Sequence, residues 1–243
     1  MDIKNKTVLI TGAASGLGAA TAQYLSSLGA NIIALDKNKT ADHIADHIIE
    51  CDITDDDNLK KIINNIDQIH IAINCAGISH AKRLVGKNGP MELVEFQKVI
   101  NINLIGTFNI MRLCADKISK QTVVNNIGER GVIINTASVA AFEGQLGQVA
   151  YSASKGAIAS MTLPAARELA QLGIRVMTIA PGVMQTPMMA LMPTEVQEKL
   201  TADIVFPKKL GDPKNFAELV AHIIQNDYLN GSTIRLDGAI RLK

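Results

Sequence analysis

Val8-Leu9-Ile10-Thr11-Gly12-Ala13-Ala14-Ser15-Gly16-Leu17-Gly18 is the stretch whose reading decides the fold. Its first four residues are apolar or β-branched and read as a buried strand, and a helical pattern from about Leu17 to Gly29 follows at once. Glycines at such a junction let the backbone turn tightly and approach a pyrophosphate, while free amides and the dipole at the helix start favour its charge. The spacing is G-x-x-x-G-x-G, a variant of the common dinucleotide fingerprint. Glycines alone are weak evidence, but their place after the first strand makes Gly12, Ser15, Gly16, Leu17 and Gly18 a predicted phosphate cradle.

Outward from this unit, short apolar β-rich runs alternate with helical patterns to the end of the chain. The runs are Thr7 to Thr11, Asn31 to Leu35, Ile48 to Asp52, Ile69 to Asn74, Gly131 to Ala137, Arg175 to Ala180 and Thr233 to Leu236. Strands separated by helices in this way predict an α/β fold, a Rossmann-like, doubly wound parallel sheet of seven strands with helices on both faces. No linker or composition shift divides the chain, so residues 1–243 are expected to form one domain. Between the last two strands, about 184–213, lies a long interruption carrying Met184, Met188, Met189, Met192 and Phe206. Ligands of open α/β sheets bind beyond the carboxyl ends of the strands, which makes this insertion either a substrate lid or a loop with one extra core helix.

Composition narrows the class. The 24 Lys and Arg nearly balance 23 Asp and Glu, a formal charge of +1, which gives no general electrostatic case for nucleic acid or an anionic membrane. Cys51, Cys75 and Cys114 have no metal-type spacing and leave one unpaired in any disulfide scheme, as expected of a reduced, cytoplasmic protein. The sequence from Met1 to Lys6 opens no long apolar region, and no later run approaches the roughly 18 apolar residues of a membrane span.

Asp36 closes the second strand, where a carboxylate accepts hydrogen bonds from both adenosine ribose hydroxyls and repels a 2′-phosphate. Without Arg or Lys in Gly12 to Gly18, NAD is the expected cofactor, although Lys37 adjoins Asp36; a helix N-cap or turn residue is the lesser reading of Asp36. Asp52 and Ile53 end the third strand and are placed to meet the adenine. Asn74, Ala76 and Gly77 end the fourth, the two small residues permitting close backbone approach to ribose. Cys75 reads as an inert buried thiol.

Tyr151 and Lys155 stand four apart in a strongly helical stretch and share one face. An ammonium held close, with an oxidised nicotinamide above, would favour the phenolate of a tyrosine whose reference pKa is about 10. The phenolate can remove an alcohol proton as hydride leaves, and Ser138, just past the fifth strand, can hydrogen-bond the same oxygen. The pattern points to a nicotinamide-dependent oxidoreductase that needs no metal.

With these motifs in hand the chain resembles the short-chain dehydrogenase/reductase family over its whole length, through Thr11-Gly12-x-x-x-Gly16-x-Gly18, Asn74-x-Ala76-Gly77, Ser138, Tyr151-x-x-x-Lys155 and Pro181-Gly182. Cys75 departs from the family's usual Asn-Asn-Ala-Gly. The resemblance implies a fourth catalytic residue, Asn103, kinking its helix and holding a water that links Lys155 to solvent. It also implies that Pro181, Gly182, Val183 and Thr186 meet the nicotinamide end, and that the protein is a homotetramer. The stretches Gly131 to Gln145, Met161 to Pro164, Phe206-Pro207 and Leu236 to Arg241 resemble the type II 3-hydroxyacyl-CoA dehydrogenases, also known as type 10 17β-hydroxysteroid dehydrogenases. That narrower likeness implies NAD-dependent oxidation of a 3-hydroxyacyl-CoA in fatty acid metabolism, with Gln145 beside the substrate oxygen. The Asp36 to Asp52 segment is shorter than usual there.

Other readings are a different secondary alcohol or steroid dehydrogenase, a 3-oxoacyl carrier-protein reductase, which Asp36 disfavours, or a cofactor-binding scaffold, which the intact Asn103, Ser138, Tyr151 and Lys155 disfavour. Asp42, His43, Asp46 and His47 share a helical face but read as a solvated surface rather than a metal site. His80, Lys82, Arg83, Lys87, Lys208 and Lys209 read as surface residues, with CoA phosphates the alternative for the basic ones.

Overall fold

The computed structural model describes residues 1–38 and 48–242, and the Asp42 to His47 group lies outside them. The elements run β1 (Thr7–Thr11), α1 (Gly16–Ser27), β2 (Asn31–Asp36), β3 (Ile48–Glu50), α2 (Asp56–Asn64) and β4 (Ile71–Asn74). A short hairpin, β5 (Val85–Gly86) and β6 (Gly89–Pro90), precedes α3 (Leu93–Ile100), a π-helical turn (Asn101–Ile105) and α4 (Gly106–Ser119). Then come β7 (Gly131–Thr136), α5 (Val149–Ala170), β8 (Ile174–Pro181), α6 (Pro187–Ala190), α7 (Thr194–Asp203), α8 (Pro213–Gln225) and β9 (Thr233–Leu236).

Seven strands form one parallel sheet in the order β3-β2-β1-β4-β7-β8-β9, the architecture expected from the sequence. Alternation within each strand sends side chains to opposite faces. Val8 and Ile10 of β1 pack with Leu25 of α1 and with Phe216, Val220 and Ile224 of α8. Leu9, between them, packs on the other face with Leu59 of α2 and Ile110, Cys114 and Ile118 of α4. Each fully buried aliphatic side chain contributes about 1.5 to 3 kcal/mol. The chain leaves β1 to one side for β2 and returns to the other for β4, so the carboxyl ends of β1 and β4 flank the switch point where such sheets bind ligands.

The opposite edge carries a pH-sensitive joint. The Thr7 amide donates to Nδ1 of His70 at 3.1 Å, which requires a neutral imidazole. Burial, aided by the Lys6 charge, lowers the pKa of His70 below its ordinary 6.5. The unfolded chain therefore takes up the extra proton first, and this contribution to stability, full above about pH 6.5, is lost as pH falls toward the lower folded value. Urea unfolding between neutral and mildly acidic pH should show a shallower decline for His70→Gln than for the parent; equal slopes would remove His70 from that role.

Candidate active site

A cleft of about 430 Å³ opens at the carboxyl ends of the central strands. Its first wall is the β1–α1 turn. Gly12 has φ +66°, and a Cβ there would lie 2.7 Å from the Ala76 amide nitrogen. A Cβ on Gly18 would lie 2.1 Å from the Gly12 carbonyl oxygen, so the turn closes only with glycine at both places. Ser15, at the N-cap of α1, makes no side-chain cap, and the first helical turn carries no acid. A helix start with these features fits a phosphate group.

Asp36 lines the same cleft. Its Oδ2 accepts from the Ala14 amide at 3.0 Å and its Oδ1 from the Asn38 amide at 2.9 Å. The turn role and the ligand role coexist, because each carboxylate oxygen keeps a second lone pair. Asp52 and Ile53 also line the cleft. Asp52 Oδ2 is bound by Lys37 Nζ at 2.7 Å, and Oδ1 accepts from the amide and hydroxyl of Thr54 at 3.0 and 2.7 Å. Partial burial works to raise the Asp52 carboxyl, yet the hydrogen bonds from Lys37 and Thr54 hold it at about 2.

Ala76, Gly77, Pro181, Gly182, Val183 and Thr186 line the cleft as expected, together with Gln145. Asn74 does not. It is buried between β4 and β7, its amide donating to Asn135 Oδ1 at 2.9 Å, because an inward-facing position of a central strand points away from the strand end. Cys75 is pushed up to about 12, chiefly by burial, consistent with an unreactive thiol.

Ser138, Tyr151 and Lys155 meet at the far end of the cleft. Strand β7 ends at Thr136 and delivers Ser138, whose hydroxyl accepts from the Ala140 amide at 3.1 Å and is hydrogen-bonded to the Tyr151 hydroxyl. Helix α5 presents Tyr151 and Lys155 one turn apart, with Nζ 5.8 Å from the tyrosine ring centroid and 2.7 Å from the Thr136 carbonyl oxygen. Burial lowers Lys155 to about 8, with only a small opposing influence from Cys75. With the protein's own groups alone, burial raises Tyr151 above its ordinary value, and the Ser138 hydrogen bond offsets only part. Desolvating a phenolate costs more here than the protein's own partners return.

Asn103 sits in the π-helical turn rather than at a simple kink, fully buried and outside the cleft lining. Its Oδ1 accepts from the Ile78 amide at 2.8 Å, and its amide donates to the Ile78 carbonyl at 2.9 Å and to Ser154 Oγ at 3.1 Å. The side chain is thus a brace between the β4 loop and α5. A Cβ on Gly77 would stand 3.1 Å from Asn103 Oδ1 and 3.7 Å from Lys155 Nζ, which places all three residues together.

The sequence reading missed Ile78, Ser79, Gln148, Leu200 and Leu242 as cleft residues. Leu242 lies far along the chain from the glycine turn and from Tyr151 and Lys155, and the tail after β9 brings it in. His80 and Lys82 turn instead to Glu95 of α3, whose carboxyl is lowered first by its hydrogen bond from Lys82. Among the described residues no group of three or more His, Cys, Asp or Glu could hold a metal ion, and no helix is long and apolar enough to cross a membrane.

A sequence model of the short chain dehydrogenase family matches residues 6–197. A 3-hydroxyacyl-CoA dehydrogenase type-2 of Bos taurus is 47% identical, over 99% of this chain and 97% of its own, and one of Drosophila melanogaster is 45% identical over 99% of both. The crystal structure of a 3-hydroxyacyl-CoA dehydrogenase type-2 from Mycobacterium avium superposes with a TM-score of 0.89 at 36% identity, covering 98% of this chain and 96% of that one. Likeness of this extent runs well beyond shared architecture, and the chain belongs to the short-chain dehydrogenase family of oxidoreductases.

Proposed function

We propose that the protein is an NAD-dependent dehydrogenase that oxidises the hydroxyl of a 3-hydroxyacyl-CoA to the ketone. The observation that carries this reading is the meeting of Ser138, Tyr151 and Lys155 in a cleft that begins at the glycine turn and Asp36 and is roofed by apolar side chains. Met184, Met188, Met189, Met192 and Leu200 supply that roof from α6, α7 and the turn before them, which suits residues 184–213 to a lid over an acyl chain. The names of the relatives at 45 to 47% identity favour a 3-hydroxyacyl thioester among secondary alcohols. The residues present fit a dinucleotide: the turn leaves no room for a Cβ at Gly12 or Gly18, and Asp36 lines the same cleft with a carboxylate suited to ribose hydroxyls.

When bound, oxidised nicotinamide supplies the hydride acceptor and a positive ring charge. Tyr151 Oη then takes the proton of the substrate hydroxyl while Ser138 Oγ hydrogen-bonds the same oxygen. Lys155 Nζ, fixed by the Thr136 carbonyl, stands 5.8 Å from the Tyr151 ring centroid, and Asn103 keeps the Ile78 loop and α5 in register around it. Gln145 adds a polar contact at the substrate oxygen. Val183 and Thr186, after Pro181-Gly182, orient the carboxamide.

The pairing of Lys37 with Asp52 supports NAD, since it draws the ammonium next to Asp36 in the chain away from a 2′-phosphate. Asp36→Ala should lower the NAD over NADP preference by about tenfold or more, roughly the 1.4 kcal/mol of one lost like-charge repulsion; unchanged kcat/KM ratios would take Asp36 out of that role. Exposed apolar side chains on the π-helical turn (Ile105), α4 (Phe108) and α5 (Val149, Leu163) support a homotetramer, measurable by light scattering. Residues 1–243 act as one domain in this reading, and three free cysteines fit a reducing cytoplasm.

The test is initial-rate NADH formation at about pH 9, where the phenolate fraction is larger than at neutral pH, with a short 3-hydroxyacyl-CoA beside NADP and a free secondary alcohol. Turnover with NAD and the thioester is expected. NAD binding with turnover of only the free alcohol, or of a carrier-protein thioester with NADPH, would overturn the substrate assignment.

A further inference from the structure

After β9 the tail makes a turn at Asp237 to Ile240 and meets two segments that border the substrate end of the cleft. One is the loop between Ser138 and Tyr151, which carries Gln145; the other is the end of α7, residues 204–206. Arg235 is the hub. Its Nη1 and Nη2 reach the two oxygens of Glu143 at 2.9 and 3.0 Å, a bidentate pair. Its Nε reaches Asp237 Oδ2 at 2.7 Å, and Nη2 also reaches the Ile240 carbonyl at 3.0 Å. Its guanidinium carbon lies 5.5 Å from the centroid of Phe142, and Arg241 adds ion pairs to Glu143 and Asp237 at 3.4 and 3.2 Å.

The turn held by this hub presents the Gly238 carbonyl, which accepts from the amides of Val205 at 3.1 Å and Phe206 at 3.2 Å. An apolar knot joins the same three segments independently: Val139 beside Ser138, Ile204 at the end of α7, and Ile240 of the tail pack together and are buried.

We infer that Glu143, Arg235 and Asp237 are positioning residues that couple the substrate loop to the end of the lid, so that substrate affinity depends on a charge cluster touching no substrate atom. This rests on the reading of residues 184–213 as a lid over a 3-hydroxyacyl substrate. The coupling acts through a chain of contacts: Glu143 fixes Arg235, Arg235 fixes the Asp237 turn, and Gly238 fixes the amides of Val205 and Phe206.

The experiment compares parent, Glu143→Gln, Glu143→Asp and Arg235→Lys as full-length, NADH-bound enzymes by hydrogen exchange, with steady-state kinetics alongside. Glu143→Gln should speed exchange of the Val205 and Phe206 amides and raise KM for the 3-hydroxyacyl-CoA about tenfold, while NADH affinity stays within about twofold. Glu143→Asp should restore part of both. If Glu143→Gln does not fold, Arg235→Lys, which keeps the charge and loses the fork, carries the same expectation. Unchanged exchange at Val205 and Phe206, or an equal loss of NADH affinity, overturns the coupling. A parent enzyme inactive on the thioester refutes the function assignment instead, and the exchange measurement still decides whether the cluster couples the two segments.

Discussion

Tyr151→Phe will lower turnover by about 10² to 10⁴, the usual contribution of a positioned general acid or base, while leaving NADH binding nearly unchanged. The substitution removes one oxygen and keeps the ring that packs between Ser138 and Lys155. Loss of the hydroxyl also frees Ser138, which retains its bond from the Ala140 amide and stays in place. The phenol is held above its ordinary pKa by burial, so oxidation should accelerate as pH rises and the phenolate is populated. The variant should lose that alkaline limb along with its rate. Stopped-flow hydride transfer and NADH fluorescence titration separate the two effects; a variant that keeps the parent rate would remove Tyr151 from the chemistry.

Glu129→Gln will destabilise the fold by about 3 kcal/mol, the lower end of the cost of stranding a buried charge. Arg175, on β8, is buried and reaches Glu129 Oε1 with Nε at 2.8 Å. Its other nitrogens take up the carbonyls of Ile223 and Leu229 at 2.9 Å and of Ile224 at 3.0 Å. These acceptors close the C-terminal end of α8, where a cation also meets the negative end of the helix dipole. Glu129, itself buried, supplies the formal counter-charge and takes a further bond from Asn125 at 2.7 Å. The helix end softens the loss, which is why the larger values for isolated buried pairs are not expected. For a chain of this size about 3 kcal/mol corresponds to a fall in Tm of roughly 6 to 12 °C. Calorimetry at one protein concentration measures it, and a fall under about 2 °C would show that α8 holds the guanidinium unaided. The kcat of the folded enzyme should be unaffected, because Glu129 and Arg175 lie outside the cleft.

The strand-turn-helix at Val8 to Gly18 was legible because its signal is local: alternation, glycine and helix period act within a few residues. The same holds for Tyr151 and Lys155, whose spacing alone puts them on one face of α5, and for Asp36 at the end of β2. The strands fell where the apolar runs lay, within a residue or two at the ends, and the parallel order followed from the alternation of strand with helix. The hairpin β5–β6 escaped notice because two-residue strands carry no periodic signal.

Asn74 marks the limit of such reading. Its place at the end of a strand suggested a ligand contact, but which way a strand-end side chain points depends on the pleat register against β7, and that register turned it into a buried link to Asn135. The extent to which Tyr151 is buried was likewise beyond sequence, because desolvation depends on everything packed around the ring. Sequence by itself determined the fold class, the glycine turn between β1 and α1 and the spacing of Tyr151 and Lys155 on α5, since these follow from short-range geometry. Tertiary structure decided the role of Asn103 as a brace on Ile78, the diversion of Lys37 to Asp52, and the assembly of Glu143, Arg235 and Asp237 around the turn after β9. Those contacts join residues distant in the chain, and local residue patterns carry no record of which distant partner a charged side chain will meet.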